Sequence, residues 1–303
     1  MKVFIYSLII FSAFQTHLIA QNRPIIDMHA HAWNVVQDGP DATENEAYLE
    51  RFLSIADSFN VVRFVASGPH RFVEKWKDKA GDRMISGAMF PCIDGNPPNN
   101  GYGPCFPDNR SFPDINWLKE QFETGVYDVM GELTAPYAGI SYNDHRMMPY
   151  YKLATEMDIP VAVHLQGAPP LTAQNCCPEF SLSYGQPLEL EKVLIQYPDL
   201  RLYILHGNIK WIPSLILILQ QYPNLYVDLT AYQAVMPREG FHELLREYKI
   251  NGLIDRVMFA TDNVPYEISI AAYQSAEFLT EDELDGIFCE NAARFLREAE
   301  LCK

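Results

Sequence analysis

Eight short apolar runs, each followed by a stretch with helical spacing, restrict what this chain can fold into more than any other feature. The runs are IIDMHAHA, VVRFVAS, MISGAMFP, VYDVMGEL, PVAVHLQ, RLYILHG, NLYVDLT and RVMFATD. Between them lie ATENEAYLERFLSIADSF, INWLKEQFETG, DHRMMPYYKLATEMD, PLELEKVLIQYPD, IPSLILILQQYP and REGFHELLREYK, with HRFVEKWKDKAGD the weakest helical pattern. Strands that are apolar throughout must be buried on both faces, as in a parallel sheet covered by helices. Eight strand–helix units close into an α/β barrel, the (β/α)8 or TIM barrel. A doubly wound open sheet is the competing arrangement, but it places a glycine-rich phosphate turn after its first strand. Here that position holds HAHAW.

The chain has 303 residues and 48% apolar content, which suits a single barrel domain over residues 21–303. After the eighth strand, LTEDELDGIFCENAARFLREAE reads as extra C-terminal helices, and Thr280 with Glu283 forms a capping box at their start. Residues 1–20, MKVFIYSLIIFSAFQTHLIA, read as a cleaved secretory signal: Lys2 precedes an apolar run too short to span a bilayer comfortably, and Ala20 stands before polar QNR. The expected location is therefore periplasmic or secreted, with no stable membrane span after cleavage. A formal charge of −16 and no Lys/Arg cluster disfavour nucleic acid as a partner and leave a small-molecule substrate. Export also raises the question of disulfides for the six cysteines. Cys92 and Cys105 flank a Gly/Pro/Asn-rich loop and are the expected pair. Adjacent Cys176 and Cys177 read as free thiols near a pocket, since a bridge between neighbours is uncommon.

Barrel active sites form where the strands end, so the strand C-termini carry the chemistry. His29 and His31 end the first run, Glu132 the fourth, His164 the fifth, His206 the sixth and Asp262 the eighth. Residues at i and i+2 of a strand share a face, so His29 and His31 should grip one ion together. Asp27, two residues earlier, should share that face at greater depth, as support for the ligands or as a buried hydrogen-bonding acid. Mixed imidazole and carboxylate ligation suits zinc first, and also manganese, iron or nickel. Two connections, DGNPPNNGYGPCFPDNRSFPD and GAPPLTAQNCCPEFSLSYGQ, follow strand C-termini and are long enough to shape a pocket. Trp33, Tyr137, Tyr184 and Tyr232 are candidates to line it, and His70 with Arg71 to meet a substrate carboxylate at its mouth. His145 and His242 read as solvated.

The motifs DMHAH, VHLQG, LHGN, ATDN and ENAARFL together resemble the amidohydrolase superfamily, and most of all its amidohydrolase-related branch of TIM-barrel hydrolases and decarboxylases. The likeness runs from about Pro24 to Leu296. It implies that His29, His31, His164 and Asp262 hold a divalent ion with His206 beside it. In GELT, Glu132 is similar to the glutamate that bridges two metals in TatD-type nucleases. If Glu132 ligates, two ions are expected, with His164 and His206 on the second. The implied reaction is hydrolysis of an amide, lactone or ester through a metal-activated water, with Asp262 as general acid and base and His206 as a second catalytic group. A metal-dependent decarboxylase of an unsaturated or aromatic acid is the alternative on the same ligands, and a ligand-binding barrel without activity is the third reading. Barrels of this type commonly pair, so a homodimer fits.

Overall fold

The computed structural model describes residues 23–32, 42–92, 105–165, 167–168, 170–207 and 209–303. The signal expected at 1–20 and the pocket aromatic expected at Trp33 lie outside the described residues. Eight strands run in chain order around one parallel sheet: β1 (Ile25–His31), β2 (Val61–Gly68), β3 (Met84–Phe90), β4 (Val129–Leu133), β5 (Val161–His164), β6 (Leu202–Leu205), β7 (Leu225–Asp228) and β8 (Val257–Met258). The Met28 N–H donates to Phe259 O at 3.0 Å and the Asp262 N–H to His29 O at 2.7 Å, which brings the last strand against the first and makes the sheet a TIM barrel. The principal helices lie outside it: α1 (Ala42–Ser58), α2 (His70–Ala80), α3 (Ile115–Glu123), α4 (Met148–Met157), α5 (Glu191–Gln196), α6 (Ile212–Gln221), α7 (Arg238–Ile250) and α8 (Tyr266–Gln274).

Burial on both strand faces is what the apolar runs require. Residues such as Phe64, Val163, Ile204 and Phe259 pack under the helices, while their neighbours Val65, Ala162, Tyr203 and Met258 pack together inside the barrel. The weakest helical pattern proves to be a full helix. In α2, Phe72, Val73 and Trp76 fall on one face and are buried, and Trp76 is fully enclosed by the core. Burying each such side chain contributes roughly 2 kcal/mol, enough to outweigh a segment otherwise crowded with charge. No helix among the described residues is long and apolar enough to cross a membrane.

The C-terminal segment closes the bottom of the barrel. Helix α9 (Glu281–Asp285) continues through a π turn, Gly286–Glu290, into α10 (Asn291–Leu296), so the expected helix pair is one helical run. Its capping box is present: the Glu283 N–H donates to Thr280 Oγ1 at 3.2 Å and the Thr280 N–H to Glu283 Oε2 at 2.8 Å. Cys289, Ala292 and Phe295 join the interior cluster, with the Phe295 ring against Tyr203 and Tyr226. A disulfide from Cys289 to Cys302 ties the chain end to this plug across a separation of 13 residues. Loop-closure entropy for such a loop corresponds to about 3 kcal/mol. The double variant Cys289→Ala with Cys302→Ala is therefore expected to unfold at clearly lower urea concentration than the wild type with unchanged metal content. An unshifted midpoint would contradict this.

Cys92 and Cys105 are bridged as expected. Cys176 and Cys177 are bridged to each other, not free, and no free cysteine occurs among the described residues. Adjacency puts their Cα atoms 3.7 Å apart, and the Thr172 carbonyl accepts both of their N–H groups, so the turn that brings the sulfurs together is held by the backbone.

His70 does not reach the barrel mouth. Its Nδ1 lies 2.9 Å from Tyr127 OH and its Nε2 3.3 Å from Glu74 Oε1, with the ring edge on Trp117. Burial lowers its pKa below 6.5 against the opposing charge of Glu74. A lowered folded-state value means the unfolded chain binds the proton more readily, so this contribution to stability is present above about pH 6.5 and lost as pH falls below it. Wild type is expected to lose more stability between about pH 8 and about pH 5 than His70→Gln, read as urea midpoints. Equal losses would show that His70 does not contribute.

Candidate metal centre

Strand β1 delivers two imidazoles through an irregularity. Its register with β2 shifts between Asp27 and Ala30, so strict alternation breaks around His29. Ile26 and Met28 pack inside the barrel, and Asp27 between them turns to the helix layer. There its Oδ2 accepts from the Tyr266 hydroxyl at 2.8 Å and the Thr261 hydroxyl at 2.6 Å, and its Oδ1 from the Thr261 N–H at 2.9 Å. Asp27 thus does not share the face of His29, as alternation alone had implied. It is a buried hydrogen-bonding acid joining β1 to β8 and α8, and burial pushes its carboxyl up to about 6 although those hydrogen bonds lower it.

The structure brings all six candidate side chains together at the C-terminal rim. Glu132 stands at the centre, 5% exposed and surrounded by four imidazoles. Its Oε2 is 3.5 Å from Nε2 of His29 and 3.5 Å from Nε2 of His31. Its Oε1 is 2.5 Å from Nδ1 of His164 and 3.9 Å from Nε2 of His206. Asp262 Oδ1 lies 3.1 Å from His31 Nε2 and 3.7 Å from His29 Nε2. Its side chain keeps 23% exposure while those of His29, His206 and Glu132 keep 2–6%, so the carboxylate of Asp262 is the most open to the mouth.

Backbone that few residues tolerate places these groups. His206 at φ 62° and Asp262 at φ 54° occupy the left-handed region, which costs a non-glycine residue about 1–3 kcal/mol unless the surroundings hold it. The His206 N–H donates to Asp228 Oδ1 at 2.9 Å, and the Asp262 N–H to His29 O. Gly131, just before Glu132, has φ 146°, and a Cβ there would stand 2.6 Å from both Cβ and O of Ala162. Gly131→Ala is expected to displace Glu132 and destabilise the fold by about 3 kcal/mol, checked by denaturant unfolding alongside metal content. Wild-type values for both would show that the strands can yield.

Electrostatics keep the acids charged. Burial raises the Glu132 pKa, yet the imidazoles of His164, His206 and His29 that face its oxygens hold it well below the usual carboxylate range. Burial likewise opposes ionisation of Asp262, but the charge of His29 and the hydrogen bond from His31 bring it to about 2. Burial lowers the His29 pKa, and Asp262, Asp228 and Glu132 together carry it well above 6.5. For His164 burial prevails and the pKa falls.

Sequence reading overlooked Asp228 and Thr230, which sit behind the histidines in VDLT. Asp228 is fully buried, with Oδ2 3.4 Å from His29 Nδ1. The Thr230 hydroxyl donates to Asp228 Oδ1 at 2.6 Å and lies 2.8 Å from His206 Nδ1 and 3.2 Å from His29 Nδ1. An acid ending an otherwise apolar strand was the available signal. Of the aromatics, Tyr137 packs its ring between His164 and Phe180, and Tyr184 and Tyr232 are partly exposed. His145 is exposed beside Asp144, whereas His242 is part-buried, with Nε2 3.3 Å from Ala272 O.

Donor chemistry and geometry suit a divalent ion. Nε2 of His29 and Nε2 of His164 are buried with no hydrogen-bond partner, a costly condition that a cation relieves. Three sets have ligand atoms within 4.8 Å of one another: His29, His206 and Asp262; His29, His31 and Glu132; and Glu132, His164 and His206.

Imidazoles and carboxylates gathered at the C-terminal mouth of a TIM barrel define a class of barrel proteins equipped to bind divalent metal. More specifically, the sequence model of the family described as Amidohydrolase matches residues 129–297, over half of the chain, and the protein belongs to that family. No curated protein matches the chain. Among solved structures, an uncharacterised TIM-barrel protein from Bordetella bronchiseptica is similar with TM-score 0.64 and 17% identity, over 91% of this chain and 99% of that one. A probable 2-pyrone-4,6-dicarboxylic acid hydrolase from Acinetobacter baumannii, with citric acid bound, is similar with TM-score 0.59 and 16% identity over 90% and 99%. A 5-carboxyvanillate decarboxylase from Novosphingobium aromaticivorans, complexed with manganese, reaches TM-score 0.58 and 13% identity over 91% and 97%. At these identities the likeness is one of fold.

Proposed function

We propose that the protein is a metal-dependent hydrolase of a small carbonyl substrate, an amide, lactone or ester, with one carboxylate shared between two ion positions. The supporting observation is that the two oxygens of Glu132 face different histidine pairs, His29 with His31 and His164 with His206. In this reading His29, His31 and Asp262 would hold one ion and His164 and His206 the other, with Glu132 available as a ligand to either. Zinc suits this donor set, and manganese, which the Novosphingobium decarboxylase carries, is the other candidate. When bound, such ions supply Lewis acidity towards the carbonyl and ease deprotonation of water. Asp262, ionised and the most exposed of the six, takes the proton from the attacking water and returns it to the leaving group. With its Nε2 turned to Glu132 and assigned to the second ion, His206 serves in this reading as a ligand and not as a donor to the oxyanion. The Tyr137 ring walls the site beside His164.

Export to a periplasmic or secreted location accords with three disulfides among the described cysteines and with the apolar N-terminal segment. A decarboxylase acting on an aromatic or unsaturated acid would use nearly the same residues, and the structurally similar proteins include a probable hydrolase and a decarboxylase. Protein purified without chelator, tested on a lactone panel and an aromatic-acid panel with isotope-labelled water, separates the two. Ring opening with label incorporation is expected. Carbon dioxide release without incorporation would replace hydrolysis by decarboxylation, and absence of stoichiometric metal would remove both.

A further inference from the structure

We propose that Thr230 is a positioning residue whose hydroxyl sets the tautomers of His29 and His206 together, so that both rings turn an unprotonated Nε2 towards the centre. The inference rests on the metal-centre reading given above for its purpose, but the hydrogen-bond logic stands on the protein alone.

Asp228 Oδ1 receives three donors: the His206 N–H at 2.9 Å, the Thr230 N–H at 2.9 Å and the Thr230 hydroxyl at 2.6 Å. A carboxylate oxygen so surrounded acts only as an acceptor, so the single hydroxyl proton of Thr230 is committed to it. The hydroxyl oxygen then has only lone pairs left for other partners. His206 Nδ1 at 2.8 Å and His29 Nδ1 at 3.2 Å must therefore be the donors in their contacts with it. Two further contacts agree, since the other acceptors near these nitrogens have no proton to give. The Thr230 carbonyl lies 3.3 Å from His206 Nδ1, and Asp228 Oδ2 lies 3.4 Å from His29 Nδ1. A neutral imidazole protonated at Nδ1 carries its lone pair at Nε2. That atom of His29 is buried without a hydrogen-bond partner, and that of His206 faces Glu132. One buried hydroxyl, fully enclosed at the end of β7, thus fixes ring orientation on two other strands, β1 and the turn after β6.

The test compares Thr230→Val, which keeps shape and loses the hydroxyl, with Thr230→Ser, which keeps it. Zinc affinity by competition with a chromogenic chelator is expected to fall about 10- to 100-fold in Thr230→Val and to stay near wild type in Thr230→Ser. Nitrogen-15 spectra of the metal-free histidines at alkaline pH, where the rings are neutral, should show Nδ1 protonation of both His29 and His206 in wild type and Thr230→Ser, and mixed tautomers in Thr230→Val. Unchanged affinity with unchanged tautomers in Thr230→Val would overturn the proposal, as would equal losses in Val and Ser, which would assign the effect to packing. If wild type binds no zinc, the metal reading fails, and the nitrogen spectra still decide whether Thr230 governs the rings.

Discussion

Glu132→Gln is expected to lower bound metal from about two equivalents to one and turnover by about 10³-fold, equivalent to roughly 4 kcal/mol of transition-state stabilisation. The amide preserves shape but replaces one anionic oxygen by an NH2 group. Glu132 is ionised because His164, His206 and His29 hold it so, and each of its oxygens faces a separate pair of rings. An amide can present a ligand atom to one pair only, and its donor group meets imidazoles on the other side. Elemental analysis together with steady-state kinetics checks the result. One equivalent in both proteins would establish a mononuclear centre with Glu132 as a nearby acid, and wild-type turnover in the variant would remove Glu132 from the chemistry.

Asp262→Asn is expected to reduce kcat by about 10³- to 10⁴-fold while KM changes little, because proton transfer is lost and substrate contacts are kept. Geometry supports that assignment: Asp262 approaches His31 at 3.1 Å through Oδ1 and remains the most exposed of the cluster. The acidic limb of the kcat profile should also change if this carboxylate carries it. A kcat within 10-fold of wild type would limit Asp262 to ligation. Because it is also a proposed ligand, metal content must be measured in the same preparation, so that loss of the ion is told apart from loss of the base.

Much of the barrel could be read along the chain because its signals are local. Each apolar run became a strand within a few residues of the expected bounds, since a segment buried on both faces can be apolar throughout only in such a sheet. The capping box at Thr280 needed only residues three apart. Helix α2 was read poorly because three apolar residues among many charges give a weak pattern, and only the surrounding core shows how completely Trp76 is enclosed. The ring of histidines and carboxylates was traceable from strand ends, whose common level follows from barrel closure.

Other features depended on contacts between distant segments. Alternation placed Asp27 beside His29, and a register shift against β2 sent it to Tyr266 instead. Thr230 looked like an ordinary strand-end threonine, and only the meeting of β1, β6 and β7 reveals two imidazoles on its hydroxyl. The cysteines divided in the same way, with the Cys92–Cys105 loop visible in composition and the Cys289–Cys302 bridge dependent on the plug beneath the barrel.

By itself the sequence determined the strand–helix alternation, the direction in which the strands run and the types of ligand at their ends, because periodicity and residue chemistry are properties of short segments. Tertiary structure alone decided which oxygen of Glu132 faces which ring, which nitrogen of each histidine is turned to the centre, and where Asp27 goes. Those are matters of ångströms and donor direction between residues up to 239 positions apart, as in the Tyr266 hydroxyl's bond to Asp27, and no local pattern encodes them.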